Sequence, residues 1–145
     1  MKLSARSRYA TRLLLDLASH MGEGPLRASL LSEHTGISVQ FIEQIIKPLK
    51  KARLVSSTRG ATGGHTLAVG PEDITLARIV DIMEDGINLT KCCAEPDSCE
   101  RSAECRTRNA WLNASRALRD GLAAITLADL MNSPVSKETI LSDED

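Results

Sequence analysis

The 145-residue sequence predicts a mainly helical fold with one small β-hairpin and a long C-terminal helix. Three observations carry that reading: successive apolar stripes at helical spacing, two short β-type runs around a glycine-rich tip, and an unbroken helical pattern after the last cysteine. Hydrophobic residues make up 42% of the chain, enough for a packed core and too many for a disordered one.

From Ser7 to Met21, the residues Ala10, Leu13, Leu14, Leu17, Ala18 and Met21 recur at i, i+3, i+4 and i+7. This is the stripe of an amphipathic helix about four turns long. Gly22 and Gly24-Pro25 end it. A shorter helix is expected from Ala28 to His34, with Leu30 and Leu31 available to face inward. Gly36 breaks the chain, and Ile37 can plug the turn from its apolar side. Ser38 then offers an N-cap to a helix whose stripe is Ile42, Ile45, Ile46 and Leu49. A short helix, a tight glycine turn and a second helix make a helix-turn-helix. Pro48 is expected to kink or end the second helix, because it cannot donate to the carbonyl four residues back.

The other face of that helix carries Ser38, Gln40, Glu43, Gln44 and Lys47, all able to donate or accept at base edges or phosphates. Lys50, Lys51 and Arg53 cluster where the chain leaves the helix, placed for a phosphate backbone. Alone, such a face reads first as an ordinary solvated surface. The next residues shift the balance toward DNA. Leu54–Ser57 and His65–Val69 are β-type runs around Arg59-Gly60-Ala61-Thr62-Gly63-Gly64. A hairpin directly after a recognition-type helix is a wing, and Arg59 at its tip can enter a minor groove. The glycine-rich tip is no phosphate cradle, since no Gly-Lys-Ser/Thr comes after it and no helix opens there. Residues 1–70 are thus expected to form a winged helix-turn-helix that binds DNA.

Residues 1–70 hold ten Lys/Arg and four Asp/Glu, whereas residues 71–145 hold eight and fifteen, so charges of +6 and −7 hide beneath a net −1. A basic half joined to an acidic half suits a nucleic-acid module tied to a regulatory or assembly module, with charge merely uneven over a solvated surface as the lesser alternative. Pro71 opens a linker, and Thr75 can cap a helix carrying Leu76, Ile79, Val80 and Met83, which Gly86 ends. Cys92, Cys93, Cys99 and Cys105 then fall within fourteen residues, the last three evenly spaced in a stretch that reads as a loop. Such a loop can turn three thiolates toward one point, as an iron–sulfur cluster requires. Structural zinc prefers closer pairs, so it fits this spacing less well; a metal-free thiol switch or simply packed cysteines are the other readings. Beyond Cys105 one helix is expected from about Thr107 to Leu130, with a stripe of Trp111, Ala114, Leu118, Leu122, Ile125 and Ala128. Little of the chain remains to cover it, so a coiled-coil-like dimer contact is its natural use, with packing on its own winged helix as the alternative. Residues 71–132 therefore read as a cysteine loop with a dimerisation helix, and residues 133–145 as an acidic flexible tail.

Composition excludes several functions. Tyr9, Phe41 and Trp111 are the whole aromatic set, which argues against stacking platforms for single-stranded nucleic acid. No apolar run approaches a membrane span, and the start Met1–Arg6 lacks the apolar stretch of a signal peptide, so a cytoplasmic location is expected. Neither a nucleophile–base pairing, nor paired catalytic carboxylates, nor a cofactor fingerprint is present, so no enzyme is expected. His20, His34 and His65 are remote in sequence from the cysteines and read as surface or turn residues.

Taken together, the residues resemble the IscR/NsrR family of bacterial winged-helix regulators that carry iron–sulfur clusters. The resemblance runs from residue 1 to about 130. It rests on Arg8-Tyr9-Ala10, on Gly36-Ile37-Ser38 followed by Glu43-Gln44, on Leu54-Val55 leading to Arg59-Gly60 and Gly63-Gly64, and on Cys93, Cys99 and Cys105. It implies a homodimer whose long helices pair, each winged helix entering one half of a palindromic double-stranded DNA operator. It further implies Ser38, Gln40, Glu43 and Gln44 at the major groove, Arg59 in the minor groove, and the three cysteines on the cluster. Two departures matter. Where some relatives place a histidine ligand three residues after the last cysteine, this chain has Arg108, and where others use an acidic residue near the N-terminus of the partner subunit, Arg8 stands. The fourth ligand is open among Cys92, Glu95, Asp97, Glu104 and the other subunit, and so is the choice between a two-iron and a four-iron cluster. The expected function is regulation of operator affinity by a cluster that senses nitric oxide, redox state or iron–sulfur supply. Its rivals are a cluster-free thiol- or partner-responsive regulator and a non-DNA iron–sulfur carrier or adaptor.

Overall fold

The computed structural model describes residues 1–135; most of the acidic tail expected from residue 133 onward lies outside the described residues. The chain runs through α1 (Ala5–Ser19), α2 (Ala28–Thr35), α3 (Val39–Lys51), β1 (Val55–Thr58), β2 (Gly64–Leu67), α4 (Leu76–Glu84), α5 (Lys91–Ala94), α6 (Arg106–Ala123) and α7 (Leu127–Asn132). The fold is mainly α with one antiparallel hairpin, as expected: Val55 pairs with Leu67 and Thr58 with Gly64.

Helix α1 starts on Ser4, whose side chain accepts the Ser7 amide, and it buries Ala10, Leu13, Leu14, Leu17 and Ala18. These meet Leu31 of α2, Ile37 in the turn, and Ile42, Ile45, Ile46 and Leu49 of α3 in one core. Gly36 ends α2 at φ 73, the left-handed conformation that a residue without Cβ adopts freely. Tyr9 and Phe41 meet edge to face at 5.4 Å and join α1 to α3.

Met21, expected on the α1 stripe, lies beyond the end of that helix and is exposed, and so is Leu30, expected to face inward; two later helices also differ from expectation. Helix α3 continues past Pro48 to Lys51. The proline removes the donor for the Gln44 carbonyl, but Gln44 is exposed, so water can take its place, and fully buried Leu49 holds the next turn on the core. The C-terminal helix is two helices, broken between Ala123 and Leu127. At the break the Leu76 amide donates to the Ile125 carbonyl at 2.9 Å, and the Leu127 amide to the Ile74 carbonyl at 2.9 Å. Thr126 and Asp129 then form a reciprocal capping box that starts α7 and seats Leu127 in the core.

The wing is tied to the body where Leu26 and His65 exchange backbone hydrogen bonds of 2.9 and 2.8 Å. Gly64 lies against Leu26 at φ 153, and any Cβ there would strike the Leu26 backbone. Helix α4 links the two halves. The Glu84 carboxylate at its end accepts the Ser4 amide at 2.8 Å and the Ser7 hydroxyl at the start of α1. Asp81 takes both terminal nitrogens of Arg119 on α6, at 2.8 and 2.6 Å.

Candidate nucleic-acid interface and cysteine segment

The amphipathic pattern of α3 sets the first site. Burying Ile42, Ile45, Ile46 and Leu49 turns Gln40, Glu43, Gln44 and Lys47 to the exposed side. Ser38 is exposed at the start of the helix, where its Oγ accepts the Phe41 amide at 3.2 Å. Its hydroxyl therefore caps the helix and keeps its O–H and one lone pair free to face outward. Lys50, Lys51 and Arg53 come next, all exposed. Arg53 adopts φ 61, and this left-handed residue turns the chain from α3 into the wing, with the Leu54 amide returning to the Leu49 carbonyl at 3.0 Å.

Beyond the ladder, a turn closed by the Gly63 amide on the Gly60 carbonyl at 3.0 Å leaves Arg59 exposed near the tip. Behind it, the Ser57 hydroxyl and His65 Nδ1 share a hydrogen bond of 2.7 Å across the strands. Burial and then Lys50 hold His65 below its usual pKa. The side chain therefore stays neutral near neutrality and does not add to the cationic surface of the wing.

The cysteine segment, expected as a loop, carries α5 and a 3₁₀ turn at Pro96–Ser98. The Thr90 hydroxyl lies 3.1 Å from the sulfur of both Cys92 and Cys93, and Thr107 Oγ1 lies 3.1 Å from Cys105 Sγ. The Thr90 contact lowers the Cys93 pKa, and the Thr107 contact, followed by the Arg108 backbone, lowers that of Cys105. Cys99 is exposed beside a cleft of 340 Å³ that Asp97, Glu100 and Arg108 also line. Two bonds anchor the segment to α6: Arg108 Nε donates to the Cys92 carbonyl at 3.2 Å, and the Leu89 amide to buried Ser115 Oγ at 3.0 Å. Cys105 is the residue from which α6 begins.

This donor set fits an iron–sulfur cluster. Thiolate is the ligand such clusters take, and two of the three sulfurs are biased toward it by their hydroxyl neighbours. Arg108 occupies itself with the Cys92 carbonyl and, as a guanidinium, supplies no ligand. Among the described residues, the group whose ligand atoms all lie within 4.8 Å of one another is not the cysteines but Asp16, His20 and His34. In the sequence His20 and His34 read as separate surface or turn residues, yet the packing of α1 on α2 stacks their rings with centroids 5.0 Å apart. The one available signal was the Asp16–His20 spacing of one helical turn.

A helix-turn-helix with a wing, followed by a cysteine-bearing arm, defines a DNA-binding winged-helix transcription regulator. Comparison with known proteins narrows this. The chain belongs to the Rrf2 family, described as iron-dependent transcriptional regulators, whose profile matches residues 3–133. It is 43% identical over 131 residues to the protein rrf2 of Nitratidesulfovibrio vulgaris, covering 90% of this chain and 87% of that one. The solved structure of T. potens IscR superposes with a TM-score of 0.72 at 33% identity, covering 90% of this chain and 86% of that chain. CymR, the global cysteine regulator of B. subtilis, superposes with a TM-score of 0.73 at 30% identity, covering 90% and 96%.

Proposed function

We propose that this chain is a cytoplasmic, homodimeric transcription regulator whose affinity for a palindromic operator is set by an iron–sulfur cluster on Cys93, Cys99 and Cys105. The observation that carries the reading is that the cysteine segment ends in the residue that begins α6 and is bonded to that helix again through Arg108, while Leu89 just ahead of it is held on Ser115. Any change in the order of residues 91–105 therefore acts directly on α6. That helix buries only Ser115 among its own residues, and Trp111 is 47% exposed, which suits pairing with a second copy of the helix. In such a dimer α6 sets the separation of the two α3 helices, a two-state element that both the cysteine segment and DNA can bias.

Within each subunit, Gln40, Glu43 and Gln44 read base edges in the major groove, with Ser38 donating its free O–H. Lys47 and the cations after α3 hold phosphates, and Arg59 enters the minor groove. Glu43, the one acidic group on this face, accepts from a cytosine amino group and repels sequences that leave it unpaired. A bound cluster would supply a centre reactive toward nitric oxide and redox change. Thr90 and Thr107 hold two of its thiolates ready, and Arg108 keeps the segment against α6.

Anaerobic purification with joint measurement of iron, acid-labile sulfide and visible absorption tests the cofactor, and operator affinity across a salt series tests the DNA role. Equal iron and sulfide, a charge-transfer band bleached by nitric oxide, and affinity that falls with salt are expected. Colourless protein that resists reconstitution would move the signal to the thiols, a reading favoured by the Thr90 hydroxyl lying between two of them. DNA binding that is absent or indifferent to salt would leave a carrier or adaptor role instead.

A further inference from the structure

We infer that Asp16, His20 and His34 form a binding site for a divalent first-row transition cation such as Zn²⁺ or Ni²⁺, apart from the cysteine segment and independent of its chemistry. Asp16 and His20 lie one turn apart at the end of α1, and His34 stands on the last turn of α2. His34 Nδ1 is 2.9 Å from Asp16 Oδ2, and His20 Nδ1 is 3.5 Å from Asp16 Oδ1. A tetrahedral ion with bonds of about 2.1 Å holds its ligand atoms roughly 3.4 Å apart; the two distances, each to a different oxygen of the carboxylate, lie on either side of that value, and one ligand atom from each residue falls within 4.8 Å of the others. The imidazole planes are 19° from parallel; His34 Nδ1 faces the Asp16 carboxylate, and His20 Nδ1 lies beside it while bonded to the Asp16 backbone carbonyl. Two imidazoles and one carboxylate suit zinc, nickel or cobalt; calcium and magnesium prefer all-oxygen shells.

The surroundings leave room for the ion. A cleft of 230 Å³ lined by Arg12, Asp16, Ser19 and His34 opens beside the group, so water or an external ligand can take a fourth position. Arg12, the nearest opposing cation along α1, is engaged elsewhere: its guanidinium donates to the Thr35 carbonyl at 3.1 Å and lies 5.4 Å from the Tyr9 ring centre. Loading has a definite local cost. His20 Nδ1 lies 2.8 Å from the Asp16 carbonyl oxygen, and the ring must leave that contact, and its proton, to turn its lone pair to the ion. The result is a clip between α1 and α2. His34 lies two residues before Gly36, whose turn aims the recognition helix, so the clip stiffens the unit that reads DNA.

The test uses untagged full-length protein carrying Cys92→Ser, Cys93→Ser, Cys99→Ser and Cys105→Ser. None of these cysteines is buried, and circular dichroism checks that the fold is kept. Titration with Zn²⁺ or Ni²⁺ is followed by calorimetry and by the imidazole resonances. One ion per chain is expected, perturbing His20 and His34 more than His65. Affinity should fall about tenfold or more in Asp16→Asn and in His34→Gln, and stay unchanged in His65→Gln. No saturable uptake, parental affinity in both ligand variants, or an equal loss in His65→Gln would each overturn the site. The resonances report occupancy without any substitution at a ligand, so a poorly folding variant does not shelter the proposal.

Discussion

Arg53 holds a left-handed backbone, φ 61, at the corner between α3 and the wing, where a β-carbon costs roughly 1 kcal/mol that glycine would not incur. Its exposed side chain lies beside Lys50 and Lys51, which suggests that the cost is tolerated for a phosphate contact. Arg53→Gly is therefore expected to raise unfolding stability by up to about 1 kcal/mol in denaturant titrations. The same change should reduce the salt slope of operator binding by about 1. Weaker folding with an unchanged salt slope would show that arginine serves the turn and not the DNA. At this scale the polar residues of α3 could be read from the sequence, because burying one stripe of a helix dictates the opposite face. The φ of Arg53 could not, since neither its neighbours nor its type demands it.

Helix α6 shows how an element can be identified correctly and bounded wrongly. Its periodic apolar residues announce a helix, but they do not announce the break before Leu127, which arises because residues 125–127 pair with 74–76. Thr126 and Asp129 close a capping box at the break, a pairing that the apolar stripe by itself does not announce. The break frees α6 from the core that α7 joins. Leu118 and Leu122 pack on Ala77, Val80 and Ile87 of their own chain, so in the proposed dimer the open part of the stripe around Trp111, 47% exposed, faces a second copy. Trp111→Glu should leave far-UV circular dichroism intact while raising the dimer dissociation constant about tenfold or more in analytical ultracentrifugation. A dimer of unchanged affinity would place the contact on another surface.

Across the whole molecule, α4 couples the DNA-reading half to the cysteine-bearing arm, touching α1 through Glu84 and α6 through Asp81. Hydrogen bonds from Ser7 and then Ser4 hold the Glu84 carboxyl below its ordinary value of 4.5. A carboxylate lowered by folding contributes stability that is present above its unfolded pKa and is lost as pH falls through the folded one. Glu84→Gln should thus cost about 1 kcal/mol at neutral pH, after allowance for partial exposure, and nearly nothing in strong acid. Thermal unfolding of both proteins from pH 7 downward checks this, and a difference independent of pH would remove Glu84 from the acid response.

What residue order makes legible is local and periodic. The stripes of α1, α3 and α4, the glycine turn after α2 and the hairpin with its arginine tip all derive from side-chain alternation and backbone permission over a few residues. Tertiary structure alone decided contacts between residues far apart in the chain. It carried α3 past Pro48 by anchoring Leu49, split the last helix by pairing it with residues 74–76, and latched Glu84 onto Ser4 and Ser7. It also brought His34 to Asp16 and His20, across the loop between α1 and α2. The physical reason is common to all four: each depends on burial or hydrogen bonding supplied by another element, and one-dimensional periodicity carries no record of which elements will meet.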